Sequence, residues 1–147
     1  MTRRRQHRIV FAAAGVYNLT WGAWVALSPQ SLYQMMGIPL PTHPEVAACL
    51  GMVIGLYGII YLEIARIPEH GWIAAAVGLT GKLLGPAALA VHIMTGSWPV
   101  EALRVIVLND LIWWVPFTLY LHDAWPQFRT NPQQAGAGQE RHTHVPT

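Results

Sequence analysis

The chain has 147 residues, of which 53% are hydrophobic and only 11% charged, and its formal net charge is +2. Soluble domains carry about 25% charged residues, so this composition, together with seven tryptophans, disfavours a soluble domain and indicates insertion into a membrane. The single cysteine, Cys49, excludes a disulfide within the chain and is best explained as a small apolar helix residue.

Four apolar runs are long enough to cross a bilayer, whose hydrocarbon core of about 30 Å needs about 20 residues of helix. They are residues 9–27, 46–64, 72–94 and 102–121. The segments between them all contain proline, which interrupts helical hydrogen bonding. We therefore predict an all-α fold, a polytopic membrane protein whose four-transmembrane-helix bundle occupies residues 1–125.

The segment between the first two spans has the features of a short helix. Ser28 can cap its start, Pro29 suits the first helical position, and Gly37 suits the residue after its end. Leu32 and Tyr33 lie between them. We predict a short helix that lies in the membrane interface.

The arginines outside the spans predict the orientation. Seven of them fall on one side: Arg3, Arg4, Arg5, Arg8, Arg66, Arg129 and Arg141. Basic loops mark the cytoplasmic side, so we expect both termini to be cytoplasmic. The start, "MTRRRQHRIVFAAAG", also resembles a secretory signal, but the apolar run continues to Leu27 and contains Trp21 and Trp24, which favours a span.

Residues 126–147 are polar and contain few large apolar side chains. Burial could not offset the entropy lost on ordering such a segment, so we predict a disordered cytoplasmic tail.

Lys82 and Asp110 are charged residues within the predicted spans, where charges are costly and face the bundle interior or a cavity. At 1.5 Å per helical residue, Lys82 lies about 15 Å from one end of span three and Asp110 about 12 Å from the opposite end of span four. In a core of about 30 Å the two reach nearly the same depth. We predict that they form an ion pair near the midplane.

Other polar and aromatic residues reach a similar depth. We take as candidate ligand-binding residues Asn18, Tyr57, Lys82, Asn109, Asp110, Trp113 and Trp114. One of the two tryptophans must share the face of Asp110 and could line a pocket there, but filling the core is the favoured interpretation. Glycines spaced by four, at 51 and 55 and at 81 and 85, favour close helix packing, and Pro86 and Pro116 could each free a carbonyl for another partner.

Four functions fit this polar cluster. The Lys82–Asp110 pair could be purely structural and fix the helix register. It could form the polar end of a cavity for a lipophilic small molecule such as a quinone, sterol or terpenoid, in a protein that works alone or as an accessory membrane subunit. Asp110 and Lys82 are also the best catalytic candidates for acid–base chemistry on a lipophilic substrate. Proton- or ion-coupled transport would need a homo-oligomer, because four helices make a narrow path.

Other site chemistries are not indicated. The chain has no HExxH, CxxC, phosphate-loop or serine-elbow motif, and too few carboxylates for a di-metal site, so we expect neither metal nor cofactor. The expected partners are the lipid bilayer and either a lipophilic ligand or a membrane subunit. Nucleic acid is not expected, because the basic cluster "RRRQHR" adjoins a span and is explained by topology.

Four stretches carry a family resemblance: "YNLTWGAW", "CLGMVIGLYGIIYLEIA", "GLTGKLLGP" and "NDLIWWVPF". With these stretches the chain resembles small four-span bacterial membrane proteins of the DoxX-like kind. The resemblance implies a four-helix bundle in the bacterial inner membrane and a link to membrane redox systems. It assigns no catalytic residue.

Overall fold

The computed structural model describes the backbone of residues 2–139 and the side chains of residues 3–126 and Arg129. Every regular element in this part of the chain is helical. The helices are α1 (Thr2–Leu27), α2 (Pro29–Met36), α3 (Pro44–Arg66), α4 (Trp72–Met94), α5 (Leu103–Ile106) and α6 (Ile112–Gln139). Short 3-10 turns at Pro68–His70 and Val100–Ala102 precede α4 and α5, and a wide π turn at Val107–Leu111 joins α5 to α6.

Four helical segments are long and apolar enough to cross a membrane: Arg3–Leu27, Pro44–Arg66, Trp72–Met94 and Val100–Pro126. They confirm the four predicted spans. Their outward surfaces carry large exposed apolar side chains, among them Leu56, Ile73, Leu84 and Val115. Apolar residues all round a helix are typical of membrane spans. The final helix continues to Gln139, within the predicted tail, while residues 140–147 lie outside the described residues; disorder of the tail stays a prediction.

The short helix α2 begins and ends largely as predicted. Pro29 occupies its first turn, and Gly37 ends it with a left-handed φ of 69°. Ser28 was expected to cap the helix with its side chain, and this is wrong: its side chain makes no capping bond. Its carbonyl instead accepts a hydrogen bond from the Ser31 hydroxyl at 2.6 Å.

Helices α1 and α3 make the closest contact in the bundle, through glycines. A methyl group at Gly22 would lie 2.5 Å from the carbonyl oxygen of Gly51, and one at Gly58 would lie 2.7 Å from that of Gly15. The close approach predicted from Gly51 and Gly55 is therefore confirmed. The close approach predicted at Gly81 is wrong, because an added methyl group there would meet no atom within 4 Å.

The buried apolar residues form two clusters at different depths. One, at the end of the bundle that holds the N-terminus, contains Phe11, Ala14, Tyr61, Ile64, Ala75, Phe117, Tyr120 and Ala124. The other, at the opposite end, contains Met36, Leu89, Ala102 and Ile106. Asn18 and Lys82, the buried polar residues of the described core, lie between the two clusters along α1 and α4.

Polar contacts hold the first cluster's end of the bundle together. Arg3 donates a hydrogen bond to Asp123 at 2.7 Å, and the His7 ring lies 3.0 Å from the same carboxylate. Arg4 donates to Glu69, and this guanidinium holds the pKa of the Glu69 carboxyl below its usual value. The N-terminus, the turn after α3 and the middle of α6 therefore lie at one end.

Candidate functional site

The predicted Lys82–Asp110 pair is confirmed. Lys82 Nζ, from the middle of α4, lies 3.5 Å from Asp110 Oδ1, and the two side chains are only 7% and 13% exposed. The ammonium also donates a hydrogen bond to the carbonyl oxygen of Asn109 at 2.7 Å. One cation thus satisfies a carboxylate and a backbone acceptor of the facing chain segment.

Asn109 and Asp110 lie in the π turn, Val107–Leu111, which the sequence analysis missed. A π turn widens a helix by one residue and often occurs at functional sites. Side chains from two other helices bind its carbonyls: Lys82 binds that of Asn109, and the Tyr17 hydroxyl donates to that of Leu108 at 2.7 Å. Pro116 gave no usable signal, because its missing amide and its ring affect the carbonyl of residue 112, which follows the π turn.

Pro86 frees a carbonyl, as predicted, and Trp114 occupies it. In a regular helix the carbonyl of Lys82 would accept from the amide of residue 86, which proline lacks. The indole Nε1 of Trp114 donates to this carbonyl at 2.9 Å. The hydrogen bond ties α6 to α4 at the same residue that supplies the ammonium.

The two asparagines complete the polar layer. Asn18 Nδ2 donates to the carbonyl of Ile54 at 3.3 Å, and Asn109 Nδ2 donates to Asp110 Oδ1 at 3.1 Å. Both amide oxygens are buried and accept no hydrogen bond from any described residue. Buried acceptors without a donor are uncommon and need an explanation.

A cavity of about 330 Å³ opens between α3 and α4 beside the ion pair. It is lined by Asn18, Leu50, Val53, Ile54, Tyr57, Tyr61, Val77, Gly78, Gly81, Lys82, Gly85, Asn109 and Asp110. Gly81 leaves space open where a side chain would intrude, and a methyl group at Gly85 would lie 3.7 Å from Asp110 Oδ2. The cavity combines apolar walls, from spans three and two, with a polar end.

A second cavity of about 420 Å³ lies toward the opposite end of the bundle, beneath α2. His92 and Trp98 line it, with their rings stacked 5.5 Å apart. It shares Asn109 and Asp110 with the first cavity, as well as Gly85. The polar layer is therefore reached from both cavities.

The structure brings five of the seven candidate ligand-binding residues to the first cavity: Asn18, Tyr57, Lys82, Asn109 and Asp110. Trp113 and Trp114 line neither cavity. Trp113 packs beside Tyr17 and Phe117, with ring centroids 5.6 and 6.1 Å away, and its Nε1 has no partner among the described residues. Trp114 instead donates a hydrogen bond to the carbonyl of Lys82.

The arrangement can hold a small amphipathic molecule. The walls would bury hydrocarbon, and the polar end offers a cation, a carboxylate and two amides. The cation and the carboxylate balance each other, so the site has no net charge to attract a charged headgroup. Among the described residues, no three metal-ligating side chains of His, Cys, Asp or Glu converge. No protein-family model, curated protein or solved structure matches this chain, and the DoxX-like resemblance stays a prediction.

Proposed function

We propose that this protein is a multi-pass protein of the bacterial inner membrane that binds a lipophilic small molecule in the cavity between α3 and α4. The observation that carries the proposal is the polar layer at mid-depth beside an otherwise apolar cavity. The volume of the cavity, about 330 Å³, falls at the lower end of the range of about 300–1,000 Å³ typical of small-molecule sites.

The chemistry of the polar end favours an uncharged headgroup with a hydroxyl. Lys82 and Asp110 neutralise each other, so a carboxylate or phosphate would meet Asp110 without a free cation to compensate. Asn18 and Asn109 both have amide oxygens that lack a donor, and a hydroxyl is the kind of donor that they lack. Quinols, sterols and terpenoid alcohols belong to this class.

Access would be lateral, from the lipid. Leu50, Val53 and Val77 line the cavity and are 54%, 50% and 49% exposed on the outer surface of the bundle. A molecule dissolved in the bilayer would therefore reach the site without crossing water.

Substituting Gly81 by leucine tests the proposal by filling the cavity. The first side-chain carbon at position 81 would meet no atom within 4 Å, and Gly81 lines the cavity, so we expect the leucine to extend into it. Ala87→Leu is the matched control, because Ala87 is exposed on the same helix and lines neither cavity. The detergent-solubilised proteins are purified in parallel, and their bound lipids are identified by mass spectrometry.

We expect one lipophilic species to be retained by the natural protein and by Ala87→Leu and lost from Gly81→Leu. Equal lipid content in all three would overturn the proposal. Native mass spectrometry of the same samples tests the accessory-subunit reading: a bound partner or second copy, with no lipid, would replace ligand binding by assembly.

Acid–base catalysis on a lipophilic substrate is the alternative, favoured by the fact that Asp110 and Lys82 both line the cavity. An enzyme would co-purify with substrate and product, whereas a binding protein would hold one species. We expect Asp110→Asn of an enzyme to accumulate substrate alone, which the same mass spectra would reveal.

The orientation and the place of α2 belong to the same proposal. The N-terminus, the turn after α3 and Asp123 lie at one end, which carries the arginine excess and would face the cytoplasm. Helix α2, with Pro29 and Met36 buried, would lie in the opposite interface and cover the second cavity.

A further inference from the structure

A basic groove lies between α1 and α3, at the end of the bundle where the N-terminus lies. Its volume is about 470 Å³, and it is lined by Arg5, Arg8, Ile9, Ala12, Ala65 and Arg66. The groove shares no residue with the cavity between α3 and α4. The proposed function leaves this groove unexplained.

The arginines of the groove are only partly engaged by protein. Arg5 has no hydrogen bond or ion pair with any described residue. Arg8 donates from Nε to the carbonyl of Ala65 at 3.0 Å, and its two terminal amino groups make no hydrogen bond to any described residue. Arg66 is paired with Glu63 at 2.6 Å, so the groove retains two uncompensated cations.

The neighbouring arginines on the same helix differ in this respect. Arg3 is paired with Asp123 and Arg4 with Glu69. They therefore have local counter-charges, whereas Arg5 and Arg8 do not. If this end of the bundle needed only positive charge, there would be no reason for two arginines to be paired with carboxylates and two to be unpaired.

The groove also changes character along the helix. Residues 5, 8, 9 and 12 are spaced so that they share one face of α1. The arginines come first, at the helix end, and Ile9 and Ala12 follow toward the middle of the span. Ile9 is 59% exposed, so the deeper part offers an open apolar surface.

We propose that this groove binds an anionic phospholipid, with its phosphate between Arg5 and Arg8 and the start of an acyl chain against Ile9 and Ala12. Guanidinium groups bind phosphate through paired hydrogen bonds. Basic sites between membrane helices on the cytoplasmic side are suited to anionic headgroups. The apolar part of the groove favours a lipid over a free phosphate ion.

Native mass spectrometry tests the proposal on the full chain in detergent. The protein is titrated with phosphatidylglycerol and, separately, with phosphatidylcholine of the same acyl chains. Four proteins are compared: the natural sequence, Arg5→Gln/Arg8→Gln, Arg3→Gln/Arg4→Gln, and the single variant Arg5→Gln. The two double variants lose the same charge from the same helix end; Arg3→Gln/Arg4→Gln also loses the ion pairs with Asp123 and Glu69, so its folding is checked by thermal unfolding.

We expect the natural protein to bind one phosphatidylglycerol in preference to phosphatidylcholine. Each arginine near a headgroup contributes about fivefold in affinity, so Arg5→Gln/Arg8→Gln should weaken phosphatidylglycerol binding by about twenty-five-fold. Arg3→Gln/Arg4→Gln should keep the preference. The single variant Arg5→Gln, which removes no contact within the protein, should lose about fivefold and guards against misfolding of the double variant.

Equal weakening in both double variants would show that net charge alone matters and would overturn the site. No preference for phosphatidylglycerol in the natural protein would overturn it as well. Displacement of the lipid by millimolar inorganic phosphate would show that the free ion is the ligand, and the lipid assignment would be wrong.

Discussion

Replacing Asp110 by asparagine leaves the Lys82 ammonium buried beside a neutral amide. The loss of one partner of a buried pair costs about 3–5 kcal/mol, because the remaining charge keeps its desolvation penalty. We expect Asp110→Asn to lower the free energy of unfolding in detergent by about 3 kcal/mol. The double variant Lys82→Met/Asp110→Leu removes both charges, and we expect it to recover most of that loss. Denaturant titrations monitored by tryptophan fluorescence would measure both effects.

The double variant also separates a structural pair from a functional one. If it matches the natural protein in stability and still retains the co-purified lipid, the pair fixes helix register only. If it is stable and has lost the lipid, the pair handles the ligand. An Asp110→Asn variant as stable as the natural protein would contradict the buried-charge argument itself.

Trp113 and Trp114 are neighbours in α6 and allow a matched comparison. Each substitution by phenylalanine removes a similar volume, but Trp114→Phe also leaves the carbonyl of Lys82 without its donor. A buried acceptor left unsatisfied costs about 1–3 kcal/mol. Trp113→Phe removes an N–H that has no partner among the described residues. We expect Trp114→Phe to destabilise the protein by at least about 1 kcal/mol more than Trp113→Phe in denaturant titrations; equal effects would contradict the role of this hydrogen bond.

At the scale of the helices, two glycines inside membrane spans should respond in opposite ways to alanine. Gly22→Ala would force α1 away from α3, because its methyl group meets the backbone of Gly51. Such overpacking costs about 1–3 kcal/mol. Gly81→Ala meets nothing and removes a glycine from a helix interior, so it should be neutral or stabilising by up to about 1 kcal/mol. Thermal unfolding in detergent would compare them, and a loss of stability in Gly81→Ala would contradict the open cavity.

The helices could be predicted from the sequence because the features that determine them lie within one short segment of the chain. Span length follows from bilayer thickness, and the third predicted span, 72–94, has the bounds of α4. Proline and glycine at the ends of α2 act within a few residues, so Pro29 and Gly37 were recognised. Glycine spacing was a weaker guide, because the same pattern that brings α1 against α3 leaves Gly81 beside open space. Only the facing helix decides which occurs.

The sequence predicted how deep the site residues lie in the membrane, but not which way their side chains face around the helix axis. A rise of 1.5 Å per residue was enough to match Lys82 with Asp110. Which side chains face the cavity depends on the helix rotation, and the π turn at Val107–Leu111 shifts that rotation for α6. The sequence predicted that one of the two tryptophans shares the face of Asp110 and left open whether it lines a pocket or fills the core. The structure packs Trp113 against Phe117 and directs the Trp114 indole onto the Lys82 carbonyl.

For the whole molecule, the ion pairs at one end of the bundle join segments that are far apart in the chain. Arg3 and His7 contact Asp123, and Arg4 contacts Glu69, so α1 starts where α3 ends and where the fourth span leaves the bundle. This arrangement requires an even number of crossings. The proposed direction of the bundle across the membrane rests on the arginine excess at this end.

Single cysteines test that direction in the intact chain. Cys49 is replaced by alanine, and His70→Cys or Ser97→Cys is added; both positions are exposed and lie in turns at opposite ends of the bundle. Because basic segments stay on the cytoplasmic side, we expect a membrane-impermeant maleimide to label Ser97→Cys in bacterial spheroplasts and to leave His70→Cys unlabelled. Lysis of the spheroplasts is the control, since both cysteines should then react. Labelling of His70→Cys before lysis would reverse the orientation, and it would move the basic groove of Arg5 and Arg8 to the outer leaflet.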